Sequence, residues 1–400
     1  MNVAVFTDND FDKINGVTTT SRAALQSSPP GIHLRVYTAA QWPVESEKYL
    51  AVRSIGIPIP FYTEMQVYMP RLREFLRHAR ADRIDLVHLT TPGPIGLAAL
   101  FVARRLRLPL VGSFHTDLAA YATLLSGCPW LGSLMREYMR WPYGRCARVL
   151  VPSQHTRELL IQAKSKPDRI DVWPRGVDTT LFCPSKRSQP LRDSWHVSDR
   201  RPALLYVGRL SREKGLLKLP AMSNCLHRLC IQHRIIIAGD GPLLATLREL
   251  LQDAVFTFAL PRERVAEVFA SADCFVFPSA TDTAGNVVLE AQASGLPVVV
   301  SSSGGPRENM VTGRTGVVCH SDDLRDWAQE IAAMLVQSNH GRLSHEARMY
   351  ALTRTWERAL EPLYRAYREV RAGVEPALPP PRVFPASPQG VCSAGTQCSR

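Results

Sequence analysis

The chain has 400 residues, of which 45% are hydrophobic, and a formal net charge of +12. That length predicts about two domains of roughly 150 to 200 residues, each with a full core. Its longest apolar runs, such as LPVVVS (296–301), are strand-sized and exclude a helix spanning a bilayer, which needs roughly 20 apolar residues. In chain order, MNVAVFTDND opens with a buried strand, VAVFT (3–7), broken at once by acids and unlike a signal peptide. Further strands follow at LRVYTA (34–39), LVHLT (86–90), LVGSFHT (110–116), RVLVPS (148–153) and RIDVWP (169–174). The series restarts with ALLYVG (203–208), RIIIAG (234–239), AVFTF (254–258), CFVFPS (274–279), PVVVSS (297–302) and GVVC (316–319). Helical patterns separate them, at 69–80, 247–251, 262–272 and 322–337. Apolar strands alternating with helices predict an α/β architecture of parallel sheets with helices on both faces.

The restart, after a polar segment with prolines at 183–200, predicts two Rossmann-like domains facing each other across a cleft. The first covers residues 1–182 and the second 183–354. An amphipathic helix at 355–371, kinked at Pro362, packs back on the first domain. The Pro-, Gly- and Ser-rich tail, 372–400, is expected to be disordered. Nine cysteines without a CxxC pair argue against a structural zinc site or a closed disulfide framework. Reduced thiols and a cytoplasmic location are the expectation.

Three stretches carry chemistry. GRLSREKG (208–215) directly follows a strand, so Arg209 and Lys214 are predicted at the mouth of the ligand crevice, two cations suited to a diphosphate. IIIAGDGP (235–242) offers Gly239 in a turn after the next strand, but Leu244 stands where a dinucleotide fingerprint needs a third glycine. In TDTAGNVVLEAQASGLPVVVSSSGG (281–305), Asp282 precedes a helix predicted to start near Asn286 and to be capped by Gly295. Glu290 lies one turn inside that helix. Carboxylates accept hydrogen bonds from vicinal hydroxyls, and a helix N-terminus donates to anions and hydroxyls, so the stretch suits a sugar or ribose.

With SGGPREN (303–309), NGVTTT (15–20), SFHTD (113–117) and RGVD (175–178), these motifs resemble, over about residues 1–370, the retaining glycosyltransferases of family 4 with the GT-B fold. Within that family the chain is most similar to bacterial GDP-mannose-dependent α-mannosyltransferases that act on glycolipids. The family signature is a pair of glutamates separated by seven residues, matched here by Asp282 and Glu290. The resemblance implies that Arg209 and Lys214 bind the donor diphosphate, with Gly16 approaching it from the first domain, and that Glu290 binds the ribose. It further implies that Asp282 contacts the transferred sugar with Thr283, Ala284, Gly285, Asn286 and Val287, and that His115 lies beside the reacting centre. The donor is a nucleotide-sugar co-substrate, and no metal or other cofactor is expected. Three departures stand out: Asp282 is one methylene shorter than the usual glutamate, Ala284 replaces a larger residue, and AVFTFAL (254–260) lacks the customary glycine.

The first 180 residues hold 22 basic against 15 acidic side chains. With Trp130, Leu134, Met135, Met139 and Trp141 in the stretch 121–145, they suit a lipid or glycan acceptor at an anionic membrane surface, and no nucleic acid. Ordinary sheet-covering helices with solvated arginines are the competing reading. A UDP-sugar-dependent transferase or epimerase, and a catalytically silent regulatory protein of the same fold, remain open on the residues alone.

Overall fold

The computed structural model describes residues 1–9, 11, 15–59 and 62–373. The tail predicted to be disordered falls outside the described residues beyond Gly373; the last helix includes Ala372, and Gly373 caps it.

Strands β1 (Asn2–Phe6), β2 (His33–Ala40), β3 (Val44–Glu45) and β4 (Tyr49–Arg53) form one half of the first sheet. β5 (Gly56–Ile59) and β6 (Tyr62–Tyr68) make a separate antiparallel pair. β7 (Leu86–Leu89), β8 (Leu110–Ser113), β9 (Arg148–Val151) and β10 (Ile170–Val172) complete the first sheet in the order β10-β9-β8-β7-β1-β2-β4-β3. Only β3 runs antiparallel in it. The second sheet has β11 (Ala203–Val207), β12 (Arg234–Ala238), β13 (Val255–Phe258), β14 (Cys274–Phe277), β15 (Val298–Ser301) and β16 (Gly316–Cys319). It is wholly parallel, in the order β13-β12-β11-β14-β15-β16.

This is the doubly wound α/β architecture expected. Each central strand pairs on both edges, and its side chains are buried on both faces, which is why runs such as ALLYV and VVVS lack alternation. β3 to β6 went unpredicted: β3 has two residues, β5 is short and contains Pro58, and β4 and β6 lack a long β-branched run.

One core fills the second sheet's layers, around Leu205, Phe275, Phe269 and Trp327. The first sheet has a core on each face. On one, Phe6, Tyr37 and Phe75 pack as an aromatic cluster. On the other, Val3, Val36, Leu86 and Leu150 meet Leu360, Leu363, Tyr364 and Tyr367 of the terminal helix Trp356–Ala372. That helix runs continuously through Pro362. The two segments passing between the sheets lie side by side, with Val177 N–H donating to the Arg354 carbonyl (2.9 Å). A Cβ on Gly176 would come within 2.7 Å of the Trp356 backbone, so the close approach requires glycine.

In a doubly wound sheet, ligands gather where neighbouring strands diverge, beyond their C-terminal ends. The first sheet diverges at β1, whose neighbours are β2 and β7; the second diverges between β11 and β14. The predicted motifs follow β1, β8, β11, β12 and β14.

Candidate active site

The second sheet supplies one wall. After β11 the chain turns at Gly208 (φ 147°), and after β12 at Gly239 (φ 146°) and Gly241 (φ 154°). These loops pack backbone to backbone: a Cβ on Gly239 would lie 1.9 Å from the Gly208 carbonyl oxygen. Leu210 N–H donates to the Asp240 carbonyl (2.9 Å), and Leu243 N–H to that of Leu210 (2.9 Å). Gly239 therefore holds the Arg209 loop in place. The turn Arg212–Lys214 is anchored by Ser279 and Thr281, whose hydroxyls donate to the Glu213 carbonyl at 3.2 and 3.0 Å. So placed, Lys214 Nζ reaches both oxygens of Asp282 at 2.8 Å. Burial favours the neutral amine of Lys214, but the charge of Asp282 and its hydrogen bond, with Glu213, outweigh it and hold the pKa above its ordinary value.

The loop 282–285 is shaped by SGGPREN. Gly305 N–H donates to the Asp282 carbonyl (2.8 Å), and Asn309 Nδ2 donates to the carbonyls of Ala284 (2.5 Å) and Gly285 (3.5 Å). Gly285 (φ 71°) caps the helix Asn286–Ala293. Ser294 is the C-cap, one residue before the predicted Gly295, which takes the left-handed conformation just beyond (φ 80°). Among the described residues, Asn286 Nδ2 is buried without a hydrogen-bond partner. The half-buried Val287 side chain packs against the core. Glu290, its side chain 15% exposed, pairs with Arg262 at 3.5 Å. Burial raises its pKa and Arg262 partly opposes the shift.

The first sheet supplies the facing wall. The helix Gly16–Gln26 follows β1, capped by Asn15, whose side-chain oxygen accepts from Val17 and Thr18 N–H. A Cβ on Gly16 would lie 3.8 Å from Asn286 Nδ2, so the two positions face each other. His115 follows β8, and Asp117 caps the next helix by accepting from Ala119 and Ala120 N–H. Both ring nitrogens of His115 are engaged within the protein, by Ser113 Oγ (2.8 Å) and Arg175 Nη2 (3.0 Å). Burial, then Arg175 and His88, hold its pKa well below the usual histidine value. Its carbonyl oxygen faces the other wall and accepts from Thr283 Oγ1 at 2.5 Å.

Two more contacts join the walls. Glu308 accepts from Gln154 N–H (2.6 Å) and His155 N–H (2.7 Å), capping a helix of the first sheet. Arg262 Nη1 donates to Thr19 Oγ1 at 3.5 Å while its other nitrogen faces Glu290. Asp8, just after β1, accepts from Ile95 and Gly96 N–H and from Thr91, at the start of the helix Pro94–Leu106. Among the described residues, no group of three or more His, Cys, Asp or Glu is arranged to hold a metal.

The structure thus brings Gly16, His115, Lys214, Asp282, Thr283, Asn286 and Glu290 onto two facing walls, with Arg209 on the loop beside Lys214. Arg262, Glu308 and Asn309 were missed, and so were Arg175, His88 and Tyr367 behind His115. RGVD and SGGPREN were noticed as motifs, but their geometric partners are more than 50 residues away for Arg175 and more than 150 for Glu308. Outside the cleft, Trp130, Leu134 and Trp141 are exposed on the helix Pro129–Tyr143. Met139 is buried in the core, which removes it from the predicted docking face, and Met135 is half-buried against that core. No helix among the described residues is long and apolar enough to cross a membrane.

Residues 17–181 match the family described as Glycosyltransferase Family 4, and residues 201–337 match Glycosyl transferases group 1. The chain is 31% identical to a GDP-mannose-dependent α-mannosyltransferase of Corynebacterium glutamicum, over 93% of its own length and 90% of the relative's. It is 32% identical to one so named from Mycobacterium tuberculosis, over 92% and 97%. Among solved structures, a sucrose-phosphate synthase from Thermosynechococcus elongatus superposes with a TM-score of 0.73 at 19% identity, over 93% of this chain and 99% of that one. HepE of Anabaena in complex with UDP-glucose gives 0.71 at 19%, over 92% and 100%. At that identity the superpositions speak for the fold.

Proposed function

This chain belongs to the family 4 glycosyltransferases and has their GT-B fold, and we propose that it transfers mannose from GDP-mannose to a glycolipid acceptor with retention of configuration. The choice of donor is supported by the relatives so named, which match almost end to end. The observation that carries the site is the pairing of Lys214 with Asp282 on one wall, facing the His115 carbonyl on the other. Donor binding exchanges these internal bonds for bonds to the ligand. Lys214, with Arg209, turns to the diphosphate, and Asp282 accepts from sugar hydroxyls. Glu290 accepts from the ribose, and Asn286 Nδ2 gains the partner it lacks.

The bond from sugar C1 to the diphosphate oxygen breaks on the face where the acceptor oxygen bonds to C1. The acceptor's proton passes to the departing phosphate oxygen. Two fixed cations stabilise the charge that develops on the leaving group, a preorganised electrostatic contribution. We assign that neutralisation to the protein alone, so transfer should persist in excess EDTA. The acceptor approaches from the first sheet, where exposed Trp130, Leu134 and Trp141 sit near Arg136 and Arg145 on a surface suited to an anionic leaflet. A cytoplasmic enzyme resting on the membrane's inner face fits this reading.

The test is transfer of labelled sugar from GDP-mannose or UDP-glucose into membrane lipid, with wild type and Glu290→Ala. Lipid labelling from GDP-mannose alone, lost in the variant, is the expected result. Labelling from UDP-glucose alone would refute the donor assignment, and a variant as active as wild type would refute the role of Glu290. Co-sedimentation with vesicles that is indifferent to anionic lipid would remove the membrane surface.

A further inference from the structure

His115 belongs to a chain of five buried or half-buried polar side chains drawn from distant parts of the sequence. Arg175 Nη2 lies 3.0 Å from His115 Nδ1, and His115 Nε2 lies 2.8 Å from Ser113 Oγ. Ser113 Oγ lies 2.9 Å from His88 Nε2, and His88 Nδ1 lies 2.6 Å from the Tyr367 hydroxyl. Arg175 comes from the loop after β10, His88 and Ser113 from β7 and β8, and Tyr367 from the terminal helix. Trp173 packs beside three of them, with its ring 5.8 Å from His115, 6.4 Å from His88 and 4.9 Å from the Arg175 guanidinium.

The direction of the links at His115 is fixed. A guanidinium donates and never accepts, so His115 Nδ1 must be the acceptor and its proton sits on Nε2. That N–H donates to Ser113. With both imidazoles neutral, either the Ser113 hydroxyl donates to His88 Nε2 and His88 Nδ1–H to Tyr367, or the Tyr367 hydroxyl donates to His88 Nδ1 and His88 Nε2–H to Ser113. Burial lowers Arg175 to about 9, which leaves it charged near neutral pH. The histidines are depressed by burial and stay neutral.

We propose that Tyr367, His88, Ser113 and Arg175 are positioning residues: Arg175 sets the Nε2–H tautomer of His115, and Ser113, backed by His88 and Tyr367, fixes its ring, so that its carbonyl oxygen faces the donor site. The terminal helix thereby becomes part of the active site although none of its residues lines the cleft. The inference rests on the reading of His115 given above for the functional part alone; the tautomer follows from the hydrogen bonds. Fixed polar side chains behind a reacting group cost little to assemble once the protein has folded, and a displacement of the group by about 1 Å can cost about 100-fold in rate.

The experiment pairs kinetics with nitrogen NMR of histidine-labelled full-length protein, the His115 and His88 signals being assigned by their loss in His115→Gln and His88→Gln. Wild type should show His115 protonated on Nε2 alone. Tyr367→Phe removes one oxygen from an otherwise unchanged side chain. It should mix the tautomers of His88, while Arg175 still holds that of His115, and lower kcat with GDP-mannose by about 10- to 100-fold. KM for the donor should change less than about twofold, because no group touching the donor is altered. Ser113→Ala should repeat the effect, and Ser113→Thr, which keeps the hydroxyl, should restore most of the rate. An Nδ1–H tautomer in wild type would overturn the proposal, and so would a Tyr367→Phe enzyme with unchanged kcat and an unmixed tautomer. Transfer that survives His115→Ala undiminished would overturn the role of His115 itself, a failure separable from the tautomer result.

Discussion

His88 has 2% of its surface exposed, and burial lowers its pKa from 6.5 to about 3. The unfolded chain therefore takes up a proton near pH 6.5 that the folded protein refuses until far lower pH. Below the unfolded pKa the unfolded state binds more protons, so stability falls as the pH falls from about 6.5 towards 3. At about pH 5 the gap is about 1.5 pH units for this one group, which amounts to about 2 kcal/mol. His115 adds to the loss with the same sign. His88→Gln keeps a polar side chain and removes the titration. Urea unfolding at about pH 7 and about pH 5, followed by tryptophan fluorescence and circular dichroism to check that the transitions coincide, gives both stabilities. Wild type should lose about 2 kcal/mol more than the variant over that interval, since the other titrating groups are common to both. Equal losses would mean that His88 is protonated in the folded protein, and the neutral chain from Arg175 to Tyr367 could not then stand.

Lys214→Met leaves Asp282 without its ion-pair partner and takes a cation from the leaving group; kcat with GDP-mannose should fall by about 100- to 1000-fold. Lys214→Arg should recover part of it in the same assay. Gly239→Ala places a Cβ 1.9 Å from the Gly208 carbonyl oxygen at a φ of 146°, and urea unfolding should record a loss of about 2 to 5 kcal/mol. Cys146 and Cys274 are buried, with burial pushing the Cys146 thiol up to about 12 and that of Cys274 higher still, whereas Cys230 is exposed. Brief alkylation at neutral pH followed by peptide mass spectrometry should therefore find Cys230 modified and the other two intact.

Much of the architecture is local and was legible in the residues. ALLYVG, RIIIAG and PVVVSS are apolar without alternation because parallel strands are covered on both faces, and the gap between two such series marks the restart at β11. The loops that bear Arg209, Lys214 and Asp282 could be placed because in this architecture strand C-termini form the crevice. β3 had no such signal, since a short edge strand needs little apolar surface, and the apolar run of β4 is only three residues long. Nor could sequence spacing reveal that Lys214 bonds to Asp282, 68 residues away, or that Arg262 is the cation on Glu290.

The contrast is clearest at His115. Its position after a strand, and the family pattern around it, came from the chain itself. The sequence also specified on its own the doubly wound class, the acids 282 and 290 around the start of one helix, and the glycines that let the loops approach. Tertiary structure alone decided which partners those groups meet: Ser113 two residues off, Arg175 60 residues off, and Tyr367, 279 residues from His88, on a helix that returns to the first sheet. Secondary structure follows from short-range periodicity, which a sequence displays. A buried polar group must find its partner wherever the packing of distant elements puts one, and that cannot be read from the order of residues.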